Sequence, residues 1–449
     1  MTSMMYHPRS RSIGRVPARA ASLAKPWQHP YATSTVERLL LAATILIIPL
    51  EPSLPTLGGF TTPYLMFGLL AGYVLAKRPR ALARTWSHPV FLAAFSLPLV
   101  GAFIESIHPY PSYSDISRIV QMLIAGIFVA VLCRDRRALR TTLYALLIGG
   151  IMVSIILFWI FYGDLKYAAA ATFTEASKIR KHILTDANVE ETLKRLTVYP
   201  AMGAAIALSL GLHVRSAIRR YSYFGIALFC VVGTFLPMSR GGIVMVVASC
   251  TTILVAYGVR HLRVVLIATA LAIGVLIWVP GVVYSRLTVT PETREGGRLD
   301  SRRQIYKAAI EHLPEYFFTG VGAGNFWTGP WGKSSEFFRA TGVDGAHNAF
   351  IQVTLNWGVP ALLVLLTVVY LGFRCLPRGG SKDVLVQCLY SICIVIVLQM
   401  MVSHVLTCKE FSLTLGLLVG SQRWIWPKGI YLPMRRRQVR PVSAPQYAS

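Results

Sequence analysis

The amino-acid sequence predicts an all-α polytopic membrane protein with about twelve transmembrane helices, and three observations carry that expectation. Of 449 residues, 54% are hydrophobic and 14% charged, against about 25% charged in ordinary soluble domains. The apolar residues come in long runs with few polar breaks, many near the roughly 20 residues that cross a bilayer. The excess of 45 Lys+Arg over 19 Asp+Glu, a formal charge of +26, collects in tails and loops. There it suits lipid headgroups or an anionic ligand, and nucleic acid is not an expected partner. The seven cysteines show no CxxC spacing and six fall in or beside apolar runs, which predicts neither a disulfide framework nor a zinc site.

Residues 1–35 carry Arg9, Arg11, Arg15, Arg19 and Lys25. They read as an uncleaved basic tail, because the first apolar run begins too late for an ordinary signal peptide. A transmembrane domain follows over 36–427, with spans expected at 36–56, 58–76, 88–106, 119–133, 141–162, 197–213, 221–238, 242–259, 264–283, 349–373, 384–407 and 411–427. The runs 119–133 and 197–213 are short, so they read as tilted into neighbours or extended by a turn. Residues 428–449, with Arg435, Arg436 and Arg437, form a second basic tail suited to anionic headgroups. If both tails are cytoplasmic, the inner loops 77–84, 134–140, 215–220, 260–263 and 374–382 hold 16 Lys+Arg, and the short outer loops hold 3. That asymmetry is what the orientation rule requires. Two long outer loops, 164–196 and 284–347, hold 6 and 8 Lys+Arg. Long loops are exempt from the rule, so these read either as solvated surface or as a face made basic to hold an anion.

Leu236-Pro-Met-Ser-Arg-Gly-Gly242 sets Arg240 at an outer corner with no room for a solvated loop. Its guanidinium either snorkels to headgroups or meets an anionic ligand, to which the glycines would allow close backbone approach. Residues 301–313 read as an amphipathic helix. Ile305, Tyr306, Ala309, Ile310 and Leu313 share one face with Arg302 near its centre and Arg303 at its edge, while Lys307 and Glu311 pair on the wet side. Arg302 among apolar neighbours is a ligand-holding cation or half of a salt bridge. Gly320-Val-Gly-Ala-Gly-Asn-Phe326 reads as a tight turn folding the loop back onto the membrane, not a dinucleotide loop, since it follows a helix and not a strand. Phe326, Trp327 and Trp331 either stack on a sugar or sit at the interface. His347 is placed in the first turn of the tenth span, where the helix dipole would keep it neutral and able to accept a proton, unless it is simply structural. Arg195 is a weaker further cation; His404 and Lys409 have no supporting pattern.

The order Ser239-Arg240-Gly241-Gly242, Arg302 four residues before Tyr306, Gly320-x-Gly322-x-Gly324-x-Phe326, and His347-Asn348 with Gly358 resembles the O-antigen ligase and O-antigen polymerase superfamily. The likeness covers roughly 195–375; family patterns often carry Trp where this chain has Tyr306. The resemblance implies a GT-C-type glycosyltransferase of the bacterial inner membrane with a periplasmic site and both termini cytoplasmic. Its donor would be undecaprenyl-diphosphate-linked glycan and its acceptor lipid A-core, with no metal or other cofactor. Carried over, Arg240 and Arg302, with Arg303 and Arg195 as further candidates, would bind the diphosphate, and His347 would be catalytic. Ligase is preferred to polymerase because the large outer segment with the arginine helix and histidine sits late in the chain. A transporter of the same lipid-linked glycan is the alternative of another class, though its charges would be expected near the bilayer midplane and in repeated halves.

Overall fold

The computed structural model describes residues 33–51, 54, 56–57, 60–109, 111–166, 196–237, 239–257, 306, 309–311, 313–323, 348–377, 383–403 and 408–425. Helix α1 (Thr35–Leu50) opens at a capping box, in which the Ser34 hydroxyl accepts the Glu37 amide and the Glu37 carboxylate accepts the Ser34 amide. The helix stops before Pro52 and Pro55. The pairs Thr56–Leu57 (β1) and Phe60–Thr61 (β2), which flank Gly58-Gly59 in sequence, form a two-residue antiparallel ladder. Helices α2 (Thr62–Lys77), α3 (Pro79–Trp86), α4 (Pro89–Ile107), α5 (Ser114–Leu132) and α6 (Arg136–Lys166) follow, then α7 (Val198–His213), α8 (Ala217–Phe235) and α9 (Arg240–Tyr257). A 3-10 turn at Leu313–Tyr316 precedes α10 (Ala349–Arg374), α11 (Val384–Val402) and α12 (Lys409–Ile425).

Eleven of the twelve expected spans coincide with helices, their ends shifted by a few residues; the ninth, 264–283, lies outside the described residues. Five of the described helices, α4, α5, the Arg136–Phe161 part of α6, α10 and α11, are long and apolar enough to cross a membrane. The basic stretch 77–84, expected as a loop, instead forms most of the short helix α3. Pro79 starts it, its missing N–H harmless in a first turn. Arg78, just ahead of it, turns back to Glu37: Nε donates to Oε1 at 2.7 Å and Nη2 to Oε2 at 3.0 Å, with the Glu37 side chain 2% exposed. This forked pair ties α1 to the end of α2.

The short run at 197–213 is explained by where it sits. Helix α7 is buried all round, enclosed by α6, α8, α9 and α11. Its 16 residues rise about 24 Å, less than the roughly 30 Å of hydrocarbon, but its neighbours shield it from lipid. Ala201, Gly203, Ala204, Ala205 and Ala207 keep it thin, and a Cβ on Gly203 would lie 3.3 Å from the Gly150 Cα of α6. Helices α5 and α12 approach just as closely, because Gly416 and Gly420 lie one turn apart. A Cβ on Gly416 would fall 2.4 Å from the Gly126 carbonyl oxygen, and one on Gly420 2.6 Å from that of Cys133.

Short connections make successive helices antiparallel, so their ends form two sets. One set holds arginine-rich corners, where the Asp135 carboxylate accepts the Thr33 and Ala138 amides at 2.7 Å each and Arg136 pairs with Asp383, the N-cap of α11. The other set holds Glu51, Glu105, Ser239, Asn348, Val402 and Lys409, together with the turn 317–323 of the expected loop 284–347.

Candidate functional site

Helix α10 is broken a third of the way along, and its sequence dictates the break. Pro360 has no N–H, so the Asn356 carbonyl loses its ordinary intrahelical donor. Gly358, at φ 76° and ψ 179°, takes a conformation essentially confined to glycine, which separates the Leu355 carbonyl from the Val359 amide. Three backbone groups are thereby left without helical partners, and the segment 317–322 meets all three. Val321 donates to the Leu355 carbonyl at 2.7 Å, Gly322 donates to that of Asn356 at 2.9 Å, and Val359 donates to that of Phe317 at 2.8 Å. Gly320 and Gly322 both adopt positive φ, aiming successive amides at the broken helix. A Cβ on Gly320 would lie 2.4 Å from the Asn356 carbonyl carbon. The glycine run is thus a turn, as its composition predicts, and the surface it turns onto is α10.

Glu105, in the last turn of α4, closes this arrangement and was not singled out from the sequence. Its side chain is fully buried. Oε1 accepts the Trp357 indole N–H at 3.0 Å and the Ala323 amide at 2.5 Å, and Oε2 accepts the Ser112 amide at 2.9 Å. The Trp357 ring lies against Gly101, where a Cβ would sit 2.9 Å from Cε2, and His108 Nε2 is 3.3 Å from the Thr319 carbonyl oxygen. The available signal was one acid in an otherwise uncharged 19-residue helix.

The corner 236–242 serves a different purpose from the one its glycines suggest. The Ser239 hydroxyl accepts the Gly242 amide at 3.4 Å as α9 begins at Arg240. A Cβ on Gly241 would meet Val402 at 3.1 Å, and one on Gly242 would meet Thr234 at 3.0 Å and Thr197 at 3.2 Å. The space where each Cβ would sit is filled by α11, α8 and the start of α7, so their smallness serves helix packing. Beside this corner a polar cluster joins four helices: the buried Tyr199 hydroxyl donates to Glu410, Lys409 pairs with Glu51, and Thr61 donates to Glu51 at 2.9 Å. Lys409 also lies 4.8 Å from the Tyr64 ring centroid, so it is a structural cation here.

Of the candidate residues, Arg240 is the first residue of α9. Arg195, Arg302, Arg303 and His347 lie outside the described residues, as do His404, Phe326, Trp327 and Trp331. Arg195 stands two positions before Thr197 and Arg240 two before Gly242, and Thr197 and Gly242 are neighbours. His347 directly precedes Asn348, whose side chain accepts the Phe350 and Ile351 amides at 2.9 and 3.2 Å. The helix thus begins at Ala349, where the tenth span was expected to start, with Asn348 as its cap, so position 347 precedes the cap and is not in the first turn. In the stretch expected to be amphipathic, Ala309 is buried but Ile310 is 71% exposed, so Ile310 does not share a buried face with Ala309. No group of three or more His, Cys, Asp or Glu among the described residues could hold a metal ion.

These features define a polytopic helical membrane protein in which a glycine-containing turn is docked onto a broken span. Residues 224–366, about a third of the chain, match the family model described as O-antigen ligase. No curated protein matches the chain. The matched segment contains Arg240, Arg302, Arg303, the docked turn, His347 and Gly358, and excludes Arg195 and Glu105.

Proposed function

We propose that the protein is an O-antigen ligase, a GT-C-type glycosyltransferase that moves glycan from undecaprenyl diphosphate to the core sugar of lipid A-core at the periplasmic face of the inner membrane. The observation that carries this reading is the family match, because it falls on the segment holding the two arginines and the histidine in the expected order. The docked turn supports it. Residues 324–347 leave from Ala323, two residues past a bond to α10, and return to the same helix at its N-cap. The charge asymmetry of the loops supports a reading with that end of the bundle outside, twelve spans and both termini cytoplasmic.

In this reading Arg240 and Arg302, with Arg303 and Arg195 nearby, bind the diphosphate oxygens. Their charge-assisted bonds strengthen as the glycosidic bond breaks and negative charge grows on the leaving group. His347 takes the proton of the acceptor hydroxyl, a contribution of about 10²–10⁴-fold. Attack opposite the diphosphate inverts the anomeric centre, and the arginines do the work a metal would otherwise do.

Purified protein incubated with a lipid-diphosphate glycan should transfer it only when lipid A-core is added. Elongation without lipid A-core identifies a polymerase, and movement across the bilayer without covalent change identifies a transporter. His347→Ala should abolish transfer while the protein still inserts; wild-type turnover in that variant refutes the base assignment. Arg240→Ala and Arg302→Ala should weaken donor binding.

A further inference from the structure

The chemistry proposed above leaves Glu105 without a task, although its carboxylate sits where three distant parts of the chain meet. Burying a carboxylate is unfavourable unless hydrogen bonds replace its water. Here three N–H groups do so, from Ser112, Ala323 and Trp357. Three donors suit a side chain that offers them two accepting oxygens; a glutamine would turn its NH2 toward at least one of them. With those partners in place Glu105 is engaged on both oxygens, which suits an anchor and not a base.

Its position is informative because the chain on either side of 324–347, at Ala323 and at Trp357, bonds the same oxygen. Ala323, the last described residue before that stretch, donates to Oε1 directly. Asn348, the first described residue after it, caps the half-helix that runs down to Trp357, about 14 Å below, and Trp357 donates to Oε1 as well. Beyond Trp357 the helix is interrupted at Gly358, so the half-helix is not held in line by continuous backbone bonding and needs side-chain anchors.

We infer that Glu105 is a positioning residue: through Oε1 it sets where the chain enters the 324–347 stretch and the angle of the half-helix on which that stretch ends. This rests on the function proposed above insofar as His347, the last residue of the stretch, is the base. Displacing a reacting group by about 1 Å can cost on the order of a hundredfold in rate, so a loosened anchor acts on turnover more than on donor binding.

The test uses the full-length protein in lipid nanodiscs, with Glu105→Gln, Trp357→Phe and the double variant. Trp357→Phe removes the N–H together with part of the ring that packs at Gly101, and it carries the test alone if Glu105→Gln does not fold. Hydrogen exchange over 317–323 should quicken in each single variant, by about tenfold or more in Glu105→Gln, and the double should go no further than Glu105→Gln, because the Trp357 bond to Glu105 is already lost there. In the transfer assay kcat should fall by about tenfold or more, with the donor KM held within about twofold. Arg78→Ala, at the opposite end of the bundle, should lower thermal stability yet leave kcat per folded molecule unchanged, which separates positioning from general destabilisation. Wild-type exchange in both single variants, additive effects in the double, or a raised KM at unchanged kcat overturns the inference. If the wild type transfers no glycan while exchange is coupled as expected, the proposed function fails, and the anchoring role stands on the exchange data.

Discussion

Replacing Gly358 with alanine should undock the turn at 317–323 from α10. The magnitude follows from the local geometry. At φ 76° and ψ 179° a residue with a Cβ is strained by about 1–3 kcal/mol. The added carbon would lie 2.5 Å from the Phe318 carbonyl oxygen and 2.9 Å from that of Phe317, so relief requires the turn to retreat. Retreat breaks the three backbone bonds to Leu355, Asn356 and Val359, each contributing about 1 kcal/mol net. The strain therefore offsets much of the roughly 3 kcal/mol that the three bonds supply, and lowers the ratio of docked to undocked turn by about 5- to 150-fold. Hydrogen exchange in nanodiscs reads this directly, with protection lowered over 317–323 and at Val359 while α5 and α12 keep theirs. Gly225→Ala is the control, since a Cβ there meets nothing within 4 Å and alanine favours a helix by about 0.5–1 kcal/mol. Wild-type protection at Val321, Gly322 and Val359 in Gly358→Ala would refute the reasoning.

Three further outcomes test the frame that holds the site. Arg78→Ala removes the forked partner of a carboxylate that is 2% exposed and should cost about 3–5 kcal/mol; thermal unfolding of Arg78→Ala, Glu37→Gln and the double variant should show the double losing less than the sum. Gly416→Val drives a side chain into the Gly126 carbonyl oxygen and should destabilise by about 1–3 kcal/mol, read as a lowered Tm in detergent with α5 and α12 exchanging faster. Lys409→Met leaves Glu51 without its ion pair and should lower stability by about 1–3 kcal/mol, with Glu51→Gln restoring part of the loss when the two are combined.

Much of the helix layout was legible in the sequence because its signals are local. Runs of apolar residues act within a few positions and were read, whereas the Ser34/Glu37 capping box and the Asn348 and Asp383 caps, equally local, were not. The exception at 77–84 shows the limit of composition. Its four cations suggested a solvated loop, but Pro79 starts a helix and Arg78 finds a buried partner 41 residues away. The site was legible only as a set of residue types. Arg240 is placed at a helix start, and the glycine run is a turn. The role of Gly241 and Gly242 went unread because a small residue looks the same in sequence whether it admits a ligand or a neighbouring helix. Contacts with Thr197, Thr234 and Val402 decide that.

The sequence by itself determined where the chain is apolar, where most helices begin and end, and which superfamily its motif order resembles, since each depends on adjacent residues or on their order. Tertiary structure alone decided that α7 needs no full span of its own, that the glycine turn docks on the gap left by Gly358 and Pro360, and that Glu105 anchors it. The reason is physical: an orphaned carbonyl or a buried carboxylate states only that a partner is required. The identity of that partner, here 218 residues away for Glu105 and Ala323, is chosen when helices far apart in the chain pack against each other.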